Sequence, residues 1–253
     1  MDSSCSHDNH NDEARKKVSS DIEQYGCHII YVLETDYLPG FAYTIGLHEN
    51  YGAPEIICFG LKNSVLGAVL NDACKLIKNG KQFATGEDYD AFLEGYDVQF
   101  LTVNKAFYKD YLGYGLWYKG GDDFPVQQIV WPDKQRHFPW DKGFNPDWKF
   151  KQPLLDLNTD FKFYEERDTA VFTTREVLDG SPVLFVYHNE DGDWQFHSEQ
   201  YPKIEDGKIL AFDQITKIDP LLNGLFDLGL GWRAWRDATG GDWQREEYVS
   251  EED

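Results

Sequence analysis

FAYTIGLHENYGAPEIICFGL, residues 41–61, is the stretch that decides the fold class. Phe41, Tyr43 and Ile45 alternate with Ala42, Thr44 and Gly46, which predicts a strand with one aromatic face. A polar turn through Asn50 and Pro54 leads to a second apolar run, EIICFGL, short enough to be a buried strand. Upstream, CHIIYVLET reads as another strand, set off by Pro39-Gly40. Before it, residues 12–25 have a helical spacing, with Val18, Ile22 and Tyr25 on one face and Gly26 as a stop. Downstream, SVLGAVLNDACKLIK repeats Leu66, Val69, Leu70, Ala73 and Ile77 at helical intervals. Asn63 is its expected N-cap, Lys75 and Lys78 stand at the end the dipole favours, and Gly80 ends it. Strands around DVQFLTVN and PVQQIVW then bracket a short aromatic helix around AFYKDYL. Strands and helices mix without a βαβ alternation, so the sequence predicts an α+β domain and not a doubly wound sheet.

Beyond residue 146 the periodicity lapses and Pro153 follows Pro146, which marks residues 147–163 as an expected linker. Short strands at AVFTT, PVLFVYH, DWQFHS and KILAF, and a helical piece at DPLLNGLFDL, make a second unit. The expected organisation is a mobile leader over residues 1–12, an α+β domain over 13–146, the linker, and a smaller acidic α+β domain over 164–253. Each domain is expected to be an antiparallel-rich mixed sheet with a few helices.

Charge separates the two. The 253 residues carry a net charge of −21. Residues 1–154 hold 22 acids and 15 bases, a net of −7, and residues 155–253 hold 23 and 9, a net of −14. With 16% aromatic residues this is no disordered acidic tail. Such acidity disfavours nucleic acid and anionic membrane surfaces as partners. No segment reaches the ~18 apolar residues of a spanning helix, and the polar N-terminus lacks a secretory signal, so a cytoplasmic location is expected. The four cysteines include no Cys-x-x-Cys, and reduced thiols are expected, with Cys58 and Cys74 as small core residues. Cys5, His7 and His10 could hold a metal loosely, but a solvated leader explains them as well. Neither a cofactor nor a structural metal is expected.

Two constellations could carry chemistry. His48 and Glu49, at the end of the Tyr43 strand, have the makings of a base and its orienting partner, although a plain polar turn explains them too. QQIVWPDKQRHFPW places Asp133 and His137 after a strand; the same residues suit a loop stiffened by two prolines and capped by Asp133. Gly-x-Ser-x-Gly, His-Glu-x-x-His, P-loop and dinucleotide-binding signatures are absent from the sequence.

YTIGLHENYGAPEIICFGL with the later QQIVWPDKQRHFPW resembles a bacterial family, domain of unknown function 4262, over about residues 24–146. That family carries no established activity and implies no catalytic residue. One departure is Gln135-Arg136-His137, where the family's pattern leads one to expect a small glycine-containing turn. More loosely, EVLDGSPVLFVYH, DGDWQF and DPLLNGLFDLGLGWRAWR resemble a module of bacterial immunity-type proteins, domain of unknown function 2185, matching at Asp193-Trp194, Asp219-Pro220 and Gly231. This resemblance implies an antitoxin that binds and neutralises a basic protein toxin. Trp194, Trp232, Trp235 and Trp243 are then the expected anchors, with Asp191, Asp193 and Glu199 as steering charges. The alternative is an enzyme or small-ligand sensor with a pocket lined by Tyr43, His48, Asp133 and His137.

Overall fold

The computed structural model describes residues 5–35, 38–156 and 160–248, with side chains from residue 13 onward. The chain divides into two compact units, residues 1–34 with 39–159, and residues 35–38 with 160–253.

In the first unit α1 (Cys5–Tyr25) precedes β1 (His28–Val32), β2 (Phe41–Ile45), α2 (Leu47–Tyr51), β3 (Glu55–Phe59) and α3 (Asn63–Lys78). Then come β4 (Asp88–Leu93), β5 (Tyr96–Thr102), α4 (Tyr108–Tyr111), α5 (Gly113–Lys119) and β6 (Val126–Val130). The sheet order is β1-β2-β3-β6-β5-β4. Two antiparallel meanders therefore lie side by side, joined by the single parallel pair β3–β6. Leu66, Leu70 and Ala73 of α3 pack with Ala42, Ile56 and Cys58 on one side of the sheet. Other partners of the sheet come from α4 and α5: Tyr111 meets Phe41 and Phe59 edge-on, and Gly115 N–H donates to the Tyr43 hydroxyl. Every residue of β2, β3 and β6 is buried. Burial on both faces is why EIICFGL reads as a continuous apolar run.

Several expectations need correcting. α1 begins at Cys5, inside the stretch expected to be a leader, while the side chains of Cys5, His7 and His10 lie outside the described residues. Val18 and Ile22 are buried, but Tyr25 is 60% exposed, because the helix stops at its own last turn. Asn63 is the first residue of α3 and not its cap; Lys62 stands at the cap with no side-chain bond. Cys74 is buried as expected, yet it forms a disulfide with Cys27, with the two Cα atoms 6.8 Å apart. Packing of α3 beside the start of β1 brings the pair together across 47 residues, a separation that no local cysteine motif encodes. Cys58 is a buried free thiol whose pKa burial raises to about 12.

Residues 147–156 and 160–163 are largely packed. Pro146–Lys151 is a 3-10 turn capped by the Asn145 side chain, Gln152 and Leu155 are buried in the first unit, and Phe161 and Phe163 lie in the core of the second. Proline interrupts the periodicity here because the chain turns, and the boundary between the two units, at residues 159 and 160, falls inside the expected linker.

The second unit contains β7 (Ala170–Thr174), α6 (Arg175–Leu178), β8 (Phe185–His188), β9 (Trp194–His197), β10 (Gly207–Ala211), α7 (Phe212–Ile218), β11 (Trp232–Trp235) and β12 (Gln244–Glu247). Its sheet order is β10-β7-β9-β8-β11-β12, with β7–β9 the one parallel pair. Val171, Val186, Trp194 and Phe196 cluster with Phe163 and Phe212 in its core. Both units are thus mixed, mostly antiparallel sheets with helices, which is the expected α+β class.

Candidate functional site

The polar centre of the first unit is Glu55, 1% exposed at the start of β3. A carboxylate so deeply buried requires partners. Its Oε1 accepts from the N–H groups of Gly46 (2.9 Å) and His48 (3.3 Å), and its Oε2 from Thr44 Oγ1 (2.8 Å) and Leu47 N–H (3.2 Å). Lys119, itself almost buried, brings Nζ to 3.0 Å, and Glu49 reaches the same amine at 3.4 Å. Gly46 makes the cradle possible. Its φ of 112° favours glycine, and an added Cβ would lie 2.9 Å from the Ile22 side chain. The element that approaches Gly46 closely is therefore α1. With both oxygens accepting from this turn, Glu55 holds its backbone in place.

His48 backs this turn with its main chain, while its buried Nδ1 has no hydrogen-bond partner. The Tyr43 phenol is pushed up to about 12 by burial, only partly offset by the Gly115 N–H, and so stays protonated at neutral pH.

Asp133 belongs to a separate arrangement. It is 1% exposed, and its carboxylate accepts from the N–H groups of Gln135, His137 and Asn145 at 2.8–2.9 Å. Burial presses its pKa upward, but these three donors and the nearby His137 ring outweigh that and hold it below the ordinary value. His137 Nδ1 is 3.6 Å away. Arg136 sits between them at φ 67°, the one non-glycine residue with positive φ among those described. Glycine's expected place is thus filled by arginine in a left-handed turn. Gln152 closes the loop from behind, accepting from Trp131 N–H and donating to Trp131 C=O, while the Trp131 indole donates to Phe59 C=O.

The four residues expected to line a pocket are not brought together. Glu55 pairs with Val126 where β3 and β6 begin, which is the end that carries His48. Asp133 and His137 follow the other end of β6, and Tyr43 lies mid-strand, opposite Ile57. Among the described residues no group of three His, Cys, Asp or Glu is arranged for a metal.

In the second unit the expected anchors divide. Trp194 is 1% exposed, stacked on His188 at 4.0 Å, with its indole donating to Glu165, so it is core and cannot present its ring to a partner. Trp232 and Trp243 are half-buried against the same core, and Trp243 lies under the Arg236 guanidinium. Trp235 is half-buried; Asp191, Asp193 and Glu199 are exposed. Sequence reasoning missed a group of exposed apolar residues at the β10 edge. Phe172 and Ile209 face each other across β7 and the edge strand β10, 38% and 67% exposed, and Tyr201 and Ile204 just before β10 are 81% and 99% exposed. Tyr201 and Ile204 stand in a polar segment, and Phe172 and Ile209 lie in the expected strands AVFTT and KILAF, where the pattern does not say which face stays bare.

Fold and site geometry define a two-unit α+β protein whose first unit is clamped from within by buried carboxylates. Residues 21–145 match the family described as domain of unknown function (DUF4262), and the first unit carries a domain of that family. Neither a curated protein nor a solved structure matches the chain. The matched segment contains both buried-carboxylate arrangements.

Proposed function

We propose that the chain is an immunity-type binding protein that captures and neutralises a basic protein toxin through its acidic second unit. The patch at the β10 edge carries the reading: Phe172 of β7 and Tyr201, Ile204 and Ile209 stand bare, with exposed Glu199, Lys203 and Glu205 beside them. Exposed apolar residues beside a free sheet edge form a docking surface more readily than a solvated face. The acidity of the second unit as a whole favours a cationic partner and speeds its approach. The net charge of −14 over residues 155–253 exceeds the magnitude of ~2–8 that solubility asks of a small domain. The resemblance of this half to immunity-type modules points the same way, and the cytoplasm, where a toxin would strike its own producer, is the fitting compartment. This reading moves the anchors from Trp194 to the edge patch and keeps Asp191, Asp193 and Glu199 as steering charges.

The test is surface-binding kinetics against the basic product of the neighbouring gene. The on-rate should fall steeply as salt shortens the Debye length from ~10 Å at ~0.1 M. Ile209→Lys, an exposed change, should raise the off-rate by about tenfold or more. An on-rate indifferent to salt, or full binding by Ile209→Lys, would refute the proposal.

A further inference from the structure

A cleft of about 440 Å³ opens in the first unit, lined in part by Lys17, Asp21, His28, Lys75 and Lys78, with Cys27 and Cys74 in its wall. Asp21 is engaged with His28, whose Nδ1 lies 2.7 Å from its carboxylate. The three lysines are exposed and make no ion pair with a carboxylate among the described residues. A chain of net charge −21 thus carries a locally cationic hollow with a disulfide in its wall. Cys27 and Cys74 are 7% and 8% exposed, and the cleft reaches both.

We propose that this cleft receives a small anionic thiol, which exchanges with the Cys27–Cys74 disulfide. The lysines attract the carboxylates of the incoming molecule and concentrate its thiolate at the wall, as a charged cleft does for any counter-ion. The thiolate sulfur bonds to Cys27 Sγ while the Cys27–Cys74 bond breaks, and the released electron pair stays on Cys74 Sγ, which takes a proton from solvent. Lys78 follows Cys74 one turn on along α3 and favours this sulfur as the leaving thiolate. A second molecule of the thiol attacks the mixed disulfide at its own sulfur, so two thiols become one symmetrical disulfide and the protein pair is reduced to two thiols.

Net charge alone predicts the opposite preference, because a strongly acidic chain repels an anionic reagent and attracts a cationic one. The experiment exploits that conflict. Native protein is treated with glutathione, 2-mercaptoethanol or cysteamine, and rates per unit thiolate are compared by mass spectrometry of the mixed disulfide. Glutathione should react about tenfold faster than cysteamine, with the adduct on Cys27, and about 1 M salt should erase the difference. The variant Lys17→Gln/Lys75→Gln/Lys78→Gln, altered only at exposed positions, should lose the preference while keeping the disulfide. Equal rates, a preference for cysteamine, an adduct on Cys74, or four free thiols in the denatured protein as isolated would each overturn the proposal.

Discussion

The two sheets are built alike and stabilised differently. Each has six strands, four antiparallel neighbour pairs and one parallel pair. The first keeps buried carboxylates inside it: Glu55 with Lys119, and Asp133 with three main-chain donors. The second fills its core with rings, Trp194 between His188 and Phe196, and leaves bare apolar groups at its β10 edge. A shared strand plan therefore does not dictate where polarity goes. The polar residues of the first unit are spent on holding turns, whereas the second has surface to offer a partner.

The largest expected effects test that contrast directly. Glu55→Ala leaves Lys119 with only Glu49 and strands three main-chain N–H groups, and should cost the first unit about 3–5 kcal/mol. Trp194→Ala should cost the second a similar amount, about 3–5 kcal/mol. Calorimetry should show each variant lowering one transition and sparing the other; a common shift would break the comparison.

Next comes acid. Burial lowers the His197 pKa to about 4 from 6.5, and its Nδ1 has no partner to offset this. The unfolded chain binds that proton first, so the stability held by the neutral ring is complete above about pH 6.5 and lost as pH falls toward 4. The loss is about 3 kcal/mol. His197→Asn should flatten the acid limb of the second unit in this range. Asp133 has its pKa lowered, so its contribution survives to lower pH, present above the unfolded value and lost only as pH falls through the folded one. Asp133→Asn should accordingly change the acid limb of the first unit below about pH 4 and not above. Acid melts of the two units that begin at the same pH would contradict this order.

The smallest effect is a gain. Arg136→Gly relieves a left-handed turn and should stabilise the first unit by about 0.5–1 kcal/mol, measured by urea unfolding. No change there would mean that the side chain's other contacts balance the strain.

The strands and α3 were legible because burial imposes a period: Leu66, Val69, Leu70, Ala73 and Ile77 are all buried. β4 was missed because its exposed edge position, DYDAFL, needs no apolar alternation. α5, GYGLWYK, has weak intrinsic helix preference and is held by tertiary contacts such as Gly115 with Tyr43. Glu55 did leave a signal, a lone acid opening an apolar strand. Lys119, its partner, lies too far along the chain to be paired by pattern. The disulfide and the bare Ile209 were hidden for the same reason, since each depends on which segments meet.

The parallel pairing of Glu55 with Val126 bears on how the first unit assembles in time. Each flanking meander pairs strands that follow one another in the chain, β5 and β6 being joined through α4 and α5. The seam between them requires ends distant in the chain to find one another, with the loop-closure entropy spent before any contact rewards it. Joining the two meanders is then the slow step of folding. Substitutions at the seam, such as Ile57→Val, should slow folding, while matched changes at the β4 edge should mainly hasten unfolding.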